Sequence, residues 1–152
     1  MVIQENLFKV LPMSKDVKSF LGTGWGFPPT FNKQTKSVNL VEGEEDVLES
    51  IKIILFTNLG ERVMRPDFGS DIKIYTFKTM DAVVINQLNR TVERALMNNE
   101  PRINVNHVEF DTSNAADGTL LINLDYTIKS VNVRTNAVFP FYLKEGTYIT
   151  DL

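Results

Sequence analysis

The chain of 152 residues contains no cysteine, which removes disulfides, thiolate metal ligands and a thiol nucleophile together. Histidine occurs once, at His107, so a metal cage built on several imidazoles is excluded. Charge of one sign is lacking too: 16 Lys and Arg stand against 19 Asp and Glu, a formal net charge of −3. That balance supplies neither the basic surface that nucleic acid requires nor one that adheres to an anionic membrane. No uncharged apolar run approaches the ~18 residues of a membrane helix. The N-terminus, Met1 to Asp16, has no basic start, long apolar segment or small-residue cleavage site. A soluble, cytoplasmic chain without cofactor or metal is the starting expectation.

What is present is patterning for a core of ordinary domain size. Residues 1–21 read as an arm with anchors at Phe8, Val10, Leu11, Val17, Phe20 and Leu21. In the run Gly22 to Pro29, three glycines and two prolines argue against regular structure. Trp25, Phe27 and Phe31 are expected to bury as a cap, in preference to an exposed ligand platform. Ser37 to Val41 reads as a short strand with Val38 and Leu40 on one face.

A helix is expected from about Gly43 to Thr57. Glu44, Glu45 and Asp46 suit its positive N-terminus, and Val47, Leu48, Ile51, Ile54 and Leu55 share one face. Gly60 suits its left-handed exit. Glu61 to Gly69 reads as a short strand or extended link with a turn at Gly69, and Ile72 to Phe77 is ambiguous. A second helix starts from a cap at Thr79 or Asp81 and runs to about Asn98, with Ile85, Leu88, Val92, Ala95 and Leu96 inward.

The last third reads as strands. Ile103, Val105 and His107 share one parity and Val108 and Phe110 the other, which predicts a bulge near His107. Leu120, Ile122, Leu124, Tyr126 and Ile128 alternate strictly after a turn at 114–118. Arg134 to Asn136 reads as a turn and Ala137 to Leu143 as a strand that Pro140 demotes to an edge or bulged position. Helices and strands are segregated, so the fold class is α+β: a small antiparallel or mixed sheet packed against two main helices. The domain is expected over 22–143, between the arm and a tail at 144–152.

Chemistry is sparse. There is no phosphate-loop motif, and His107 lies in an alternating strand with no nucleophile beside it. Paired carboxylates from among Glu44, Glu45, Glu61, Asp67 and Glu100 are the catalytic option with a sequence basis, which keeps a muramidase as the alternative. Nothing fixes their separation. Glu100-Pro101-Arg102 lies between a helix end and a strand start, where the proline stiffens the link and displays both charges. The residues alone favour a local pair over a partner site.

Gly24 to Pro29, Gly43 to Asp46, Gly60-Glu61-Arg62, Met64 to Gly69 and Glu100 to Ile103 form an ordered set. In order and spacing the set resembles, over about 22–143, the baseplate wedge and sheath-initiator proteins of contractile injection systems, called TssE in type VI secretion and often labelled lysozyme-like. Val41 before Glu42 departs from the small capping residue expected there. The resemblance implies a non-enzymatic assembly protein, six per baseplate, that touches wedge proteins and the central spike, hub or tube and starts the first sheath ring. It implicates Glu100, Pro101 and Arg102 in baseplate contacts, and leaves the Gly-Glu-Arg and Arg-Pro-Asp-Phe-Gly runs to shape the fold. An edge strand at Ala137, Val138, Phe139, Pro140, Phe141, Tyr142 and Leu143 is the expected template for sheath subunits, by β-augmentation. Neither nucleic acid nor direct membrane insertion is expected.

Overall fold

A computed structural model describes residues 21–143. The expected arm, apart from Leu21, and the tail lie outside the described residues. By internal contact the chain divides into two units between Glu49 and Ser50, within the first helix.

In the first unit, β1 (Thr23–Trp25) pairs antiparallel with β4 (Leu40–Glu42), and β2 (Phe31–Asn32) with β3 (Ser37–Val38). The glycine run therefore does hold a strand. Gly24 explains how: a Cβ there would come within 2.1 Å of Asp46 Oδ1, so only glycine fits beneath the start of the first helix without displacing that side chain. The strand expected at 37–41 is broken at Asn39, whose N–H donates to Thr30 O at 2.9 Å and whose carbonyl accepts from Gly26 N at 3.0 Å. The aromatic cap does not form. Trp25, Phe27 and Phe31 are 65%, 47% and 70% exposed. A two-stranded ribbon has two faces; Val41 is buried on one, while Trp25 and its partner Leu40 stand on the other.

Helix α1 (Glu44–Phe56) spans the division, with Glu44, Glu45 and Asp46 in its first turn. Val47, Ile51, Ile54 and Leu55 are buried as the period predicts, and Leu48 is half-buried. Beyond it Gly60 takes a positive φ of 78°. Of the short strand or extended link expected before Gly69, no strand forms: a single parallel bridge, Asn58 to Ser70, is made instead. The backbone between them turns on itself, and Pro66 accepts at its carbonyl from Gly60 N at 2.8 Å. The ambiguous segment is a 3-10 turn, Ile72–Tyr75, with Ile72 and Tyr75 buried.

Helix α2 (Ala82–Asn99) begins at Asp81, whose carboxylate accepts from Val84 N at 2.8 Å. It buries Leu88, Val92, Ala95 and Leu96 and packs on β5 (Ile103–Asp111). Strands β5, β6 (Thr119–Ile128) and β7 (Val133–Tyr142) form an antiparallel sheet in that order. The register slips between Val105 and His107, at the predicted bulge. Rows such as Phe110–Ile122–Phe139 and Val108–Leu124–Ala137 cross the buried face. β7 starts earlier than expected. The turn is made at 129–132, with Asn132 at φ 52°, and Arg134 to Asn136 already pair with Asp125 to Thr127. The architecture is α+β.

Candidate partner-binding surfaces

Glu100 caps the C-terminus of α2, and its N–H still donates to Leu96 O at 2.9 Å. Its side chain is not displayed: the residue is 2% exposed. Arg102 turns back on it, Nε donating to Oε1 at 2.7 Å and Nη2 to Oε2 at 2.8 Å, while Arg102 N reaches Oε1 at 3.3 Å. The Ser50 hydroxyl of α1 also hydrogen-bonds this carboxylate. Burial would raise the Glu100 carboxyl, but the hydrogen bonds from Arg102 and Ser50, with the guanidinium charge, hold it below the usual carboxylate range. The expected display is thus corrected for Glu100, while Arg102 stays half-exposed and the two form the local pair that the residues alone favoured. A buried carboxylate requires compensation, and a neighbour two residues away across a proline provides it.

The loop is tied to the sheet as well. Lys129, at the β6–β7 turn, donates through its N–H to Arg102 O at 2.9 Å and through Nζ to Pro101 O at 2.8 Å. Glu100-Pro101-Arg102 is a joint at which α1, α2, β5 and the β6–β7 turn meet, with Pro101 on the outside.

β7 divides its candidate residues by parity. Ala137, Phe139 and Phe141 are core, while Pro140 and Tyr142 are exposed and Val138 and Leu143 half-buried. Along an antiparallel strand each residue points its N–H and C=O to the same side, and the side alternates. Leu143 N donates to Gly118 O at 2.7 Å, on the β6 side. Even-numbered residues therefore aim their backbone groups away from β6. Pro140, which has no N–H to lose, falls in that set, as an edge strand requires. Among the described residues no strand covers this side. The two candidate regions stand apart: Arg102 adjoins the Ile103–Ile128–Val133 end of the sheet, and 137–143 run to the other end.

One further pair has no forewarning in the residue pattern. On the solvent face Arg134 Nε donates to both oxygens of Asp125, at 2.9 and 3.0 Å. That hydrogen bonding, against a small desolvation and with help from Asn106, lowers the Asp125 carboxyl. Cross-strand charge pairing was hidden because Arg134 reads as part of a turn. Among the described residues no cluster of three His, Cys, Asp or Glu is placed to hold a metal ion. No helix among them is long and apolar enough to cross a membrane.

The family model described as Baseplate wedge protein gp25 matches residues 41–133, from β4 to the first residue of β7. The chain belongs to this family. The gp25 baseplate wedge protein of Enterobacteria phage T4 is 32% identical over 68 residues, 45% of this chain and 52% of that protein. The chain thus matches about half the length of that relative. A solved structure from Geobacter sulfurreducens, provisionally described as a tail lysozyme, is 47% identical with a TM-score of 0.63, covering 67% of this chain and 92% of that one. A chain of the anti-feeding prophage baseplate, a six-fold symmetrised assembly, shares the fold at a TM-score of 0.60 and 22% identity, over 84% of this chain and 90% of that one. The matched gp25-family region includes the Glu100–Arg102 joint and leaves nearly all of β7 beyond it.

Proposed function

We propose that this chain is a structural part of the baseplate of a contractile injection system, and that β7 is its assembly edge. In this reading, six copies per baseplate link wedge proteins to the central spike, hub or tube. Each offers its outer β7 backbone to a strand of a sheath subunit, so that the first ring has a fixed starting place. The observation that carries the reading is the open side of β7, a ten-residue strand bonded to β6 alone among the described residues. Such an edge gives affinity through backbone hydrogen bonds and register through alternate side chains. Glu100 and Arg102 act from within: their pairing fixes the loop so that Pro101 faces the wedge in a set position.

The alternative, a muramidase, needs a carboxylic acid whose pKa is raised so that it can protonate the leaving oxygen. The buried candidate, Glu100, is shifted the other way and both its oxygens are engaged. Glu61 Oε2 accepts from Asn58 N at 2.8 Å, and Asp67 lies 3.5 Å from Arg65. These placements favour a non-enzymatic role.

Electron microscopy of the assembled particle tests the reading. A foreign strand running along the even-numbered residues of β7 is expected. A bare β7 in intact particles would overturn the template role. Clearing of peptidoglycan by the purified chain in a zymogram would restore the muramidase.

A further inference from the structure

The loop after α1 is held rigidly yet presents apolar side chains to solvent. At its base Asn58 N donates to Glu61 Oε2 at 2.8 Å, and Ser70 N donates to Thr57 O at 2.8 Å. Gly69, at φ +113°, lies so close to Thr57 that a Cβ would come within 2.3 Å of its carbonyl oxygen. Inside the loop Arg65 N donates to Arg62 O at 3.2 Å and Phe68 N to Arg65 O at 3.1 Å. The backbone is therefore fixed by its own hydrogen bonds. At the tip Val63 and Met64 are 93% and 88% exposed. On either side stand Arg62, its guanidinium 4.2 Å from the Phe68 ring centre, and Arg65, 6.0 Å from it.

The fold makes no use of this tip. Glu61, Pro66 and Gly69 shape the loop, but Val63 and Met64 touch too little to stabilise anything, and a solvated turn is better served by polar residues. Two adjacent apolar side chains on a rigid support, bracketed by cations, are the chemistry of an interface anchor. Because the loop is preorganised, docking it costs little conformational entropy, and a methionine adapts to the shape it meets.

We propose that the Arg62–Arg65 loop is a docking knob: Val63 and Met64 seat in an apolar pocket of a second protein whose rim carries carboxylates. Charge complementarity selects that occupant. The Phe68 ring, 4.2 Å from Arg62 Cζ, steadies a guanidinium whose planar donor fork suits a carboxylate. Arg65 is partly offset by Asp67, 3.5 Å away, which orients it. The knob rests on the baseplate reading only for where its partner is sought.

The test places benzoylphenylalanine at Met64 in the full chain, expressed with the remaining proteins of its particle and irradiated. The expected result is one adduct with a second particle protein, mapped to a segment where apolar residues adjoin Asp or Glu. Arg62→Glu should lower its yield by at least about tenfold, the scale of a hot-spot contact, with the melting temperature unchanged. Particles that contain the chain without an adduct overturn the knob, as does an adduct insensitive to Arg62→Glu or mapped to a segment without carboxylates. Co-sedimentation of the wild-type chain with phosphatidylglycerol vesicles, lost in Val63→Asp, also overturns it and assigns the loop to anionic lipid. A chain missing from purified particles counts against the baseplate reading instead. Irradiation of the producing cells then decides the knob by the same criteria.

Discussion

Arg102 closes a two-bond fork on Glu100, Nε to Oε1 at 2.7 Å and Nη2 to Oε2 at 2.8 Å, with the carboxylate side chain 3% exposed and the guanidinium side chain 29%. Removing the guanidinium leaves a buried charge with the Ser50 hydroxyl and one backbone N–H. Arg102→Ala should therefore cost about 3 kcal/mol, and lower the melting temperature by roughly 6–12 °C for a chain of this size. Differential scanning calorimetry reads this directly. A drop under about 2 °C would show that the pair is not a clamp.

The same pair sets a dependence on pH. A carboxylate whose folded pKa is depressed contributes stability that is fully present above its unfolded value, about 4.3, and is lost as pH falls through the lower folded value. Glu100 is depressed, so the stability gap between wild type and Glu100→Gln should be flat from neutral pH down to about 5 and shrink in more acid solution. Urea midpoints across that range check it. A gap that widens on acidification contradicts the assignment.

Two neighbouring proline substitutions separate the sides of β7. Val138→Pro removes a donor that points away from β6, so the fold should lose no more than about 1 kcal/mol while first-ring assembly fails. Phe139→Pro removes a donor to β6 and a buried ring, and should cost about 3–5 kcal/mol or more. Denaturant melts of both, and sheath polymerisation on Val138→Pro baseplates, are the measurements.

Gly60 and Gly69 both have positive φ, but only Gly69 is crowded. Gly60→Ala should cost about 1 kcal/mol for the left-handed backbone alone. Gly69→Ala must also push the Thr57 carbonyl aside, so its loss should be clearly the larger of the two in parallel unfolding curves.

Trp25 is the single tryptophan. With 65% of it exposed, Trp25→Ser should leave stability within about 0.5 kcal/mol, and acrylamide should quench its fluorescence nearly as well as that of a free indole. Strong protection in the isolated chain would restore the buried cap.

Where burial is one-sided, the sequence carried it. Ile51, Ile54 and Leu55 on α1, Leu88, Val92 and Leu96 on α2, and the strict alternation of β6 all write their buried faces in period. The parity change at His107 even located the bulge. Elements that face solvent on one edge were harder. Arg134, Thr135 and Asn136 look like a turn because, among the described residues, β7 borders the sheet and its first residues are mostly polar. Trp25 and Phe31 look like core because aromatic side chains usually are. Of the candidate surfaces, Pro140 showed the edge in advance. The Glu100–Arg102 proximity was visible too, but neither its burial nor the hydroxyl that Ser50 brings to the carboxylate from a helix fifty residues earlier in the chain.

Pro140 gives the outer border of β7 a polarity. Donors stand at Arg134, Asn136 and Val138, then comes a blank, then Tyr142. Two such borders brought together antiparallel cannot zip along their full length, because each meets the other's blank with an unanswered carbonyl. Pairing between free copies is weakened at both of those places, one of the defences that edge strands use against self-association.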